Sequence, residues 1–358
     1  MIKISIIIPI YNVQDYIERC LNSVIIQESD DFELECILVD DRSSDRSMVI
    51  AKNVISNYTG KISFLLLAHE QNRGASAARN TGIEAAEGDF VFFVDSDDRL
   101  VDGSLKYLVD GLNAQQNSQS VDVVMGNMQL CMDGKPASDK NQTDLFDNSD
   151  WKALRKILTR EIYHSPCNKL VRSSLLKKNK VNFEEGIIDE DLLWSYFVFL
   201  FSRSVLVMPQ ITYIYEDIPG SVMHTTSKRL NQLIRSRIVI VNRIMDVPPS
   251  YSYPEYYTYL FFVLARAVNL YEMNSKDLCG MKDELDKVKS RLMNETRRHR
   301  YYLLYSFFYT MIPPLYCLTK LRVYRRYFDR ILRQLVVWEG FLIKYFSNSS
   351  GEKFRQSV

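Results

Sequence analysis

The sequence predicts an α/β protein whose mostly parallel sheet carries helices on both faces, followed by a helical C-terminal region. First, apolar strand-like runs alternate with segments of helical spacing over residues 4–128, and such alternation produces parallel strands joined by helices. Second, each of the first four runs ends in polar or turn-forming residues. Third, residues 226–300 have only helical spacing. The 358 residues are enough for two domains.

The individual elements follow from local patterns. Runs rich in β-branched and aromatic residues predict strands at 4–8, 35–39, 62–67, 90–94 and 121–128. Apolar residues three and four apart predict helices at 13–23, 47–57, 75–86 and 105–112. The helix at 75–86 is rich in alanine, so we expect close packing against a neighbour, with Gly88 ending it. Polar residues 133–150 predict a loop over one side of the site.

The segments that follow the first four strands are predicted to converge. In open parallel sheets, ligands bind beyond the carboxyl ends of the strands. Those ends carry residues 9–12, 40–45, 72–74 and 95–98. The sequence has no G-x-G-x-x-G after the first strand and no G-x-x-x-x-G-K-[ST], which excludes a dinucleotide dehydrogenase or a P-loop enzyme by motif.

Three carboxylates follow the fourth strand directly. Carboxylates at the exit of a buried strand are costly unless a cation meets them. Residues two apart in an extended segment point the same way, so Asp95 and Asp97 can face one object. Such oxygen pairs suit Mg²⁺ or Mn²⁺ held together with substrate phosphates. A D-x-D pair alone is a weak signal, and the alternative is that Asp97 or Asp98 caps the next helix.

Charge is distributed unevenly along the chain. Residues 1–219 hold 22 Lys+Arg and 33 Asp+Glu, a net charge of −11, whereas residues 220–358 hold 23 and 11, a net charge of +12. This asymmetry predicts different partners for the two halves. The six cysteines form no C-x-x-C pair, which favours a reducing compartment over a zinc site or a disulfide framework. The first residues lead directly into a strand, so we expect no signal peptide.

Four ordered segments resemble the motifs of glycosyltransferase family 2. They read SIIIPIYN at 5–12, VDDRSSD at 39–45, NRGASAARN at 72–80 and VDSDD at 94–98. The resemblance covers residues 1–220 and implies an inverting enzyme of the GT-A fold that uses a nucleotide sugar, most often UDP-linked. It implies that Asp95 and Asp97 bind Mg²⁺ or Mn²⁺ and the diphosphate. It also implies the nucleotide-sugar contacts, which are Pro9, Tyr11, Asn12, Asp40, Asp41, Arg73, Arg79, Asp95 and Ser96.

Within these motifs Arg42 stands where the family usually has glycine, and arginine tolerates a positive φ less well, so we expect a slightly different turn. Surface or helix ion pairs are the plain alternative for Arg73 and Arg79. The segment Pro166-Cys-Asn-Lys169 resembles the N-K-L segment before the acceptor site of the family. The plain alternative for Lys169 is a surface lysine.

Residues 186–191 resemble the family motif G-x-x-x-E-D. The resemblance implies that Asp191 is the catalytic base, with Glu190 orienting it or the acceptor. Transfer needs such a carboxylate, because the acceptor hydroxyl must lose its proton as it attacks. The alternative is that these acids only favour a helix dipole. His224 follows a segment similar to the family's G-S segment and is a candidate third metal ligand or diphosphate contact, against a purely structural histidine.

We expect a catalytic domain at residues 1–224 and a basic helical region at 225–358. Residues 301–319 carry no charge, are rich in tyrosine and contain Pro313 and Pro314, with arginines and a lysine on both sides. This pattern favours an amphipathic, in-plane attachment to a membrane over a span. The alternative is a helical bundle that packs on the catalytic domain or forms a dimer.

The resulting prediction is a metal-dependent inverting glycosyltransferase of the hexosyl or N-acetylhexosaminyl type. It transfers a sugar to a hydroxyl of a saccharide or lipid-linked saccharide in surface polysaccharide synthesis, at the inner face of the cell membrane, without nucleic acid. Alternatives are a polyprenyl-phosphate sugar synthase, a non-catalytic nucleotide-sugar-binding module, and a nucleotidyltransferase. The last should have a Gly-rich basic loop after the first strand, which residues 9–12 lack.

Overall fold

The computed structural model describes residues 1–115, 117, 120–130, 142–148, 152–158, 161–216, 227–249, 254–274 and 281–298. The chain divides into two compact units. The first contains Met1–Ala153 and Arg160–Arg229, and the second contains Leu154–Thr159 and the chain from Leu230 onward. The predicted boundary between residues 224 and 225 stays a prediction.

The described strands form one sheet in the first unit. They are β1 Ile2–Ile10, β2 Phe32–Asp40, β3 Ser63–Ala68, β4 Phe90–Phe93, β5 Arg99–Leu100, β6 Val123–Leu130, β7 Asp144–Asp147, β8 Lys169–Arg172 and β9 Ser204–Tyr215. The order is β3-β2-β1-β4-β8-β6-β9-β5, and β7 pairs with β9. The sheet is parallel from β3 to β4 and mixed beyond, and helices cover both faces, so the predicted fold class is confirmed.

The register of the parallel strands brings the predicted site segments to one edge. Ile10 of β1 pairs with Asp40 of β2, which in turn pairs with Ala68 of β3. On the other side of β1, Ile7 pairs with Phe93 at the end of β4. The loops after these four strands therefore leave the sheet side by side, as expected for parallel strands.

Helices of the first unit connect these strands. They are α1 Ile17–Ile25, α2 Ser47–Asn57, α3 Ala75–Ala85, α4 Ser104–Asn113, α6 Ser173–Asn179 and α7 Glu190–Phe201, with a 3-10 turn at Pro166–Asn168. Helix α5, Lys152–Leu158, begins in the first unit and belongs to the second from Leu154 onward. The close packing predicted for α3 is confirmed, because a Cβ added at Gly82 would lie 2.3 Å from Cγ2 of Ile7 in β1. Small residues therefore let α3 approach the sheet.

Aromatic packing fixes the start of α7 against β4. The Trp194 ring stacks on Phe183 at 4.9 Å and meets Phe93 edge-on at 5.4 Å. Trp194 is fully buried. Such pairs contribute about 0.5–1.5 kcal/mol each beyond their buried area. The acids at the start of α7 are thereby held near the carboxylates that follow β4.

Two local predictions were wrong. Gly88 does not end α3, because the helix stops at Ala85 and Ala86 is already extended. Gly88 is instead required by close approach, since a Cβ there would lie 2.7 Å from the backbone nitrogen of Ser5. Within the predicted loop at 133–150, residues 144–147 form β7 by pairing with β9. Four residues are too short to give a clear alternation, so tertiary pairing decides their state.

The second unit is helical, as predicted for residues 226–300. Besides the part of α5 from Leu154 onward, its described helices are α8 Ser227–Asp246, whose first residues lie in the first unit, α9 Pro254–Asn274 and α10 Met281–Arg298. The guanidinium of Arg291 in α10 donates to two residues of α8, Asn242 at 3.1 Å and Asp246 at 2.7 Å. None of the helices in the described ranges has the length and apolar character needed to cross a membrane. The predicted attachment segment beyond residue 300 lies outside the described residues.

Candidate active site

Asp41 fixes the turn between β3 and α3. Its carboxylate is buried and accepts the backbone N–H of Arg73 at 2.8 Å and of Gly74 at 2.6 Å. His69 Nδ1 lies 2.7 Å from the same carboxylate, and its Nε2 lies 2.9 Å from the Thr81 hydroxyl. Gly74 has φ +89°, which glycine adopts at low cost. Asp41 thus holds the backbone of the turn, and its predicted contact with the nucleotide stays a prediction.

Side-chain oxygens hold the loops after β1 and β2. Asn12 Oδ1 accepts the Ser44 N–H at 2.8 Å and so joins the two loops, whereas Asp40 Oδ1 accepts the Ser43 N–H at 2.8 Å within the loop after β2. Asn12 and Arg42 have φ values of +52° and +67°. Arg42 therefore adopts the left-handed conformation that glycine adopts more easily. Strained residues of this kind cluster at ligand sites.

Arg42→Gly is expected to leave stability unchanged or raise it by up to about 1 kcal/mol, because it removes left-handed strain while adding unfolded-state entropy. Lys52→Gly is the control for glycine at a position with helical φ, since Lys52 is exposed in the middle of α2. The control should lose about 0.5–1 kcal/mol. Urea unfolding measures the free energy of unfolding of both variants. An equal loss of stability in Arg42→Gly would show that the backbone at Arg42 is not strained.

The three carboxylates after β4 have different surroundings. Asp98 is buried, where it accepts the Tyr213 hydroxyl at 2.7 Å and the Glu216 N–H at 2.8 Å. Asp95 is 30% exposed and accepts a guanidinium N–H from Arg79 at 2.7 Å. Burial and then the Asp95 charge raise the pKa of Asp97 to about 6. Burial raises the pKa of Asp98 as well, but its oxygens are occupied by Tyr213 and Glu216. Asp97 is a carboxylate whose charged form a bound cation would favour.

Arg79 joins the two acidic motifs. Its side chain is 8% exposed; Nη1 donates to Glu190 at 2.8 Å, and Nη2 donates to Asp95 at 2.7 Å. The guanidinium lies 5.1 Å from the centre of the Phe183 ring. Burial opposes the charged form, but the charges of Asp95 and Glu190 outweigh it and the pKa of Arg79 is raised. The carboxylates after β4 and the start of α7 therefore meet on one buried cation.

Glu190 and Asp191 begin α7 but face different surroundings. Asp189 precedes them with φ +62°. Glu190 is turned to Arg79, and burial is the largest cause of its raised pKa. Asp191 is 28% exposed, accepts the Leu192 N–H at 2.9 Å through Oδ1, and has Oδ2 3.2 Å from His164 Nε2. Asp191 is the acid of this pair that keeps the wider access a base needs.

The other predicted site residues are placed as follows. Arg73 lies at the surface, where it pairs with Glu185 at 3.1 Å. Pro9 and Ser96 are buried, whereas Tyr11 is 49% exposed. Lys169 is fully buried, so the alternative of a surface lysine is wrong. His224 lies outside the described residues, and within the described ranges no group of three His, Cys, Asp or Glu side chains could hold a metal ion.

Sequence reasoning missed four partners of the predicted residues, namely His69, His164, Glu185 and Tyr213. Each meets its carboxylate or guanidinium across a long stretch of chain, and no local spacing signals such a contact. The weak signal available was chemical, because a buried carboxylate requires a donor.

The model of the family Glycosyl transferase family 2 matches residues 5–178, which contain all four strand-end motifs. Residues 5–178 belong to this family. The chain is 31% identical over 200 residues to the uncharacterized glycosyltransferase YibD of Escherichia coli (strain K12), covering 54% of this chain and 55% of YibD. It is 30% identical over 217 residues to the poly(ribitol-phosphate) β-N-acetylglucosaminyltransferase TarS of Staphylococcus aureus (strain Mu50), covering 60% of this chain and 35% of TarS.

Solved structures agree with the fold of this chain. Residues 1–349 of S. aureus TarS in complex with UDP-GlcNAc give a TM-score of 0.61 at 22% identity, covering 88% of this chain and 92% of that one. The mannosyltransferase PcManGT of Pyrobaculum calidifontis, in complex with GDP-Man and Mn²⁺, gives 0.51 at 15% identity, covering 85% and 84%. The GT-A fold implied by the sequence resemblance is confirmed.

Proposed function

We propose that this chain is an inverting glycosyltransferase that transfers a hexosyl or N-acetylhexosaminyl group from a UDP-linked donor. The acceptor is a hydroxyl of a saccharide or lipid-linked saccharide in surface polysaccharide synthesis. The observation that carries the proposal is the Arg79 bridge, because it holds the carboxylate of the D-x-D motif beside the acids at the start of α7. This bridge supports a site in which a diphosphate-facing group and a base lie together, as transfer requires.

In this mechanism the loops at the strand ends bind the donor, with the base and ribose near Asp40 and Asp41 and the nucleotide near Arg73 and Arg79. Asp191 accepts the proton of the acceptor hydroxyl as its oxygen attacks the anomeric carbon opposite the leaving diphosphate. Glu190 stays paired with Arg79 and orients the neighbouring acid. The stereochemistry of the sugar is inverted because attack and departure occur on opposite faces.

The carboxylates of Asp95 and Asp97 fit a divalent cation. Asp97 is pressed towards its neutral form by burial and by the Asp95 charge, and a cation beside the pair would reverse that penalty. When bound, Mg²⁺ or Mn²⁺ would supply positive charge against the diphosphate. His224 is proposed as a further ligand. Mn²⁺ in the PcManGT complex supports a metal in this fold.

Removal of divalent metal is expected to abolish transfer, and Mn²⁺ or Mg²⁺ should restore it. Asp97→Asn should weaken metal-dependent binding of the donor at least about tenfold, because one hard anionic ligand is lost. Titration calorimetry with a UDP-sugar, with and without Mn²⁺, measures this independently of turnover. Asp102→Asn is the matched control, since Asp102 is exposed a few residues further on. Full activity in EDTA would overturn the metal assignment.

The donor is identified by release of nucleoside diphosphate across a panel of nucleotide sugars. UDP-GlcNAc bound to TarS supports a UDP-linked sugar, and GDP-Man bound to PcManGT makes a guanine donor the competing outcome. Transfer to polyprenyl phosphate would indicate the sugar synthase instead, and donor binding without any turnover would indicate a non-catalytic module. Attachment to the inner membrane face stays part of the proposal, supported by the net charge of +12 over residues 220–358.

A further inference from the structure

The segment before β8 is held rigidly from inside the first unit. The ammonium group of Lys169 is bound by the carbonyl oxygens of Tyr163 (3.3 Å) and Ser165 and by Asn168 Oδ1 at 2.8 Å. Burial lowers the pKa of Lys169 to about 7, yet three oxygen acceptors favour its charged form. Asn168 in turn donates to the Gly126 carbonyl of β6 at 2.8 Å. This segment is therefore fixed to the sheet.

His164 lies in this fixed segment and contacts α7 twice. The Ser195 hydroxyl, one turn after the acids of α7, donates to the His164 carbonyl. The imidazole of His164 stacks on the Tyr163 ring at 4.7 Å, with 27° between the planes. Its Nε2 lies 3.2 Å from Oδ2 of Asp191. The ring is thus positioned by a backbone contact, a stacking partner and a carboxylate.

We infer that His164 is the residue that positions Asp191 for proton abstraction. The inference rests on the proposed role of Asp191 as the base. An ionised carboxylate can only accept hydrogen bonds, so the contact requires the tautomer with the proton on Nε2. The Leu192 N–H holds one oxygen of Asp191 and the His164 Nε2–H holds the other, which fixes the plane of the carboxylate.

The positioning role of His164 requires an N–H hydrogen-bond donor facing Asp191. Glutamine can supply that donor, because its amide nitrogen can occupy the place of Nε2. Methionine has the same length and flexibility as glutamine without an N–H. Phenylalanine keeps the stacking on Tyr163 and also lacks the donor. These three variants separate the hydrogen bond from packing.

His164→Met and His164→Phe are expected to lower kcat about 10- to 100-fold, because a misplaced base loses its near-attack geometry. The KM for the donor should stay within about twofold of the wild type, since the donor contacts are left in place. His164→Gln should recover at least about tenfold in kcat over His164→Met, since it restores an N–H. Steady-state kinetics and urea unfolding on the full chain provide the readouts.

Three outcomes would overturn the inference. A kcat equal to that of the wild type in His164→Met would show that the His164–Asp191 contact makes no contribution to turnover. Equal losses in the Gln and Met variants, with lowered unfolding midpoints, would show a structural role only. If Asp191→Asn also keeps its turnover, the base assignment itself fails and the inference falls with it. If Asp191→Asn is inactive while His164→Met turns over normally, only the role of His164 is lost.

Discussion

Asp191→Asn is expected to lower kcat at least about a hundredfold, the usual cost of losing a positioned base. Asparagine keeps the shape of the side chain and an oxygen that can still accept the Leu192 N–H, so the start of α7 should not unfold. It cannot take a proton from the acceptor hydroxyl. Donor affinity should stay within a few-fold, because the nucleotide is bound at the strand ends.

Single-turnover kinetics with donor and acceptor measure the chemical step directly, and donor affinity is measured by calorimetry. Glu190→Gln is the matched control, since Glu190 is the adjacent acid but is turned to Arg79. Its effect on kcat should be milder. An active Asp191→Asn together with an inactive Glu190→Gln or Asp189→Asn would move the base by one or two residues. Activity in all three variants would leave these acids as a helix start only.

Arg79→Met is expected to destabilise the first unit by about 3–5 kcal/mol, because it leaves Asp95 and Glu190 without their shared cation. Arg73→Met is the matched control from the same motif. Arg73 and Glu185 are 45% and 42% exposed, so their pair should contribute less than about 1 kcal/mol. Urea unfolding followed by tryptophan fluorescence compares the two. Equal effects would show that the buried bridge contributes no more than a surface pair.

The loss in Arg79→Met should also depend on pH. In the wild type, burial raises the pKa of Glu190, and the Arg79 charge opposes that rise. Without Arg79 the pKa rises further. A carboxyl whose pKa is raised on folding destabilises the protein above its unfolded pKa and ceases to do so when protonated. The loss in free energy of unfolding caused by Arg79→Met should therefore be larger at pH 7.5 than at pH 5. A loss independent of pH would contradict the assignment to ionised Glu190.

Local pattern was sufficient for the first four strands, which are short apolar runs, and for α2, α3 and α4, where helix-forming sequence lies between those runs. It also predicted that the segments after these strands lie together, since parallel strands bring their carboxyl ends to one edge. The register Ile10–Asp40–Ala68 agrees with that expectation. Local pattern failed at β7, whose state depends on pairing with β9.

The division of roles among similar residues was beyond the sequence. Asp95, Asp97 and Asp98 have similar sequence surroundings, yet only Asp98 of the three accepts a hydrogen bond from the Tyr213 hydroxyl. Arg73 and Arg79 belong to one motif, yet one is at the surface and the other is buried between two acids. These distinctions depend on side chains distant in the chain, whose placement follows only from the packed fold.

The shared guanidinium limits how this protein can be recombined with its relatives. A chimera with a crossover between α3 and α7 would take Arg79 from one parent and Glu190 from the other. If the second parent lacks an acid at that position, the buried guanidinium keeps only Asp95 as a partner even when every strand pairs correctly. Exchanges confined to the exposed part of the loop after β2, around Arg42, leave the Arg79–Glu190 ion pair unchanged. Libraries aimed at new donors should therefore vary that loop and inherit α3 and the start of α7 as one block.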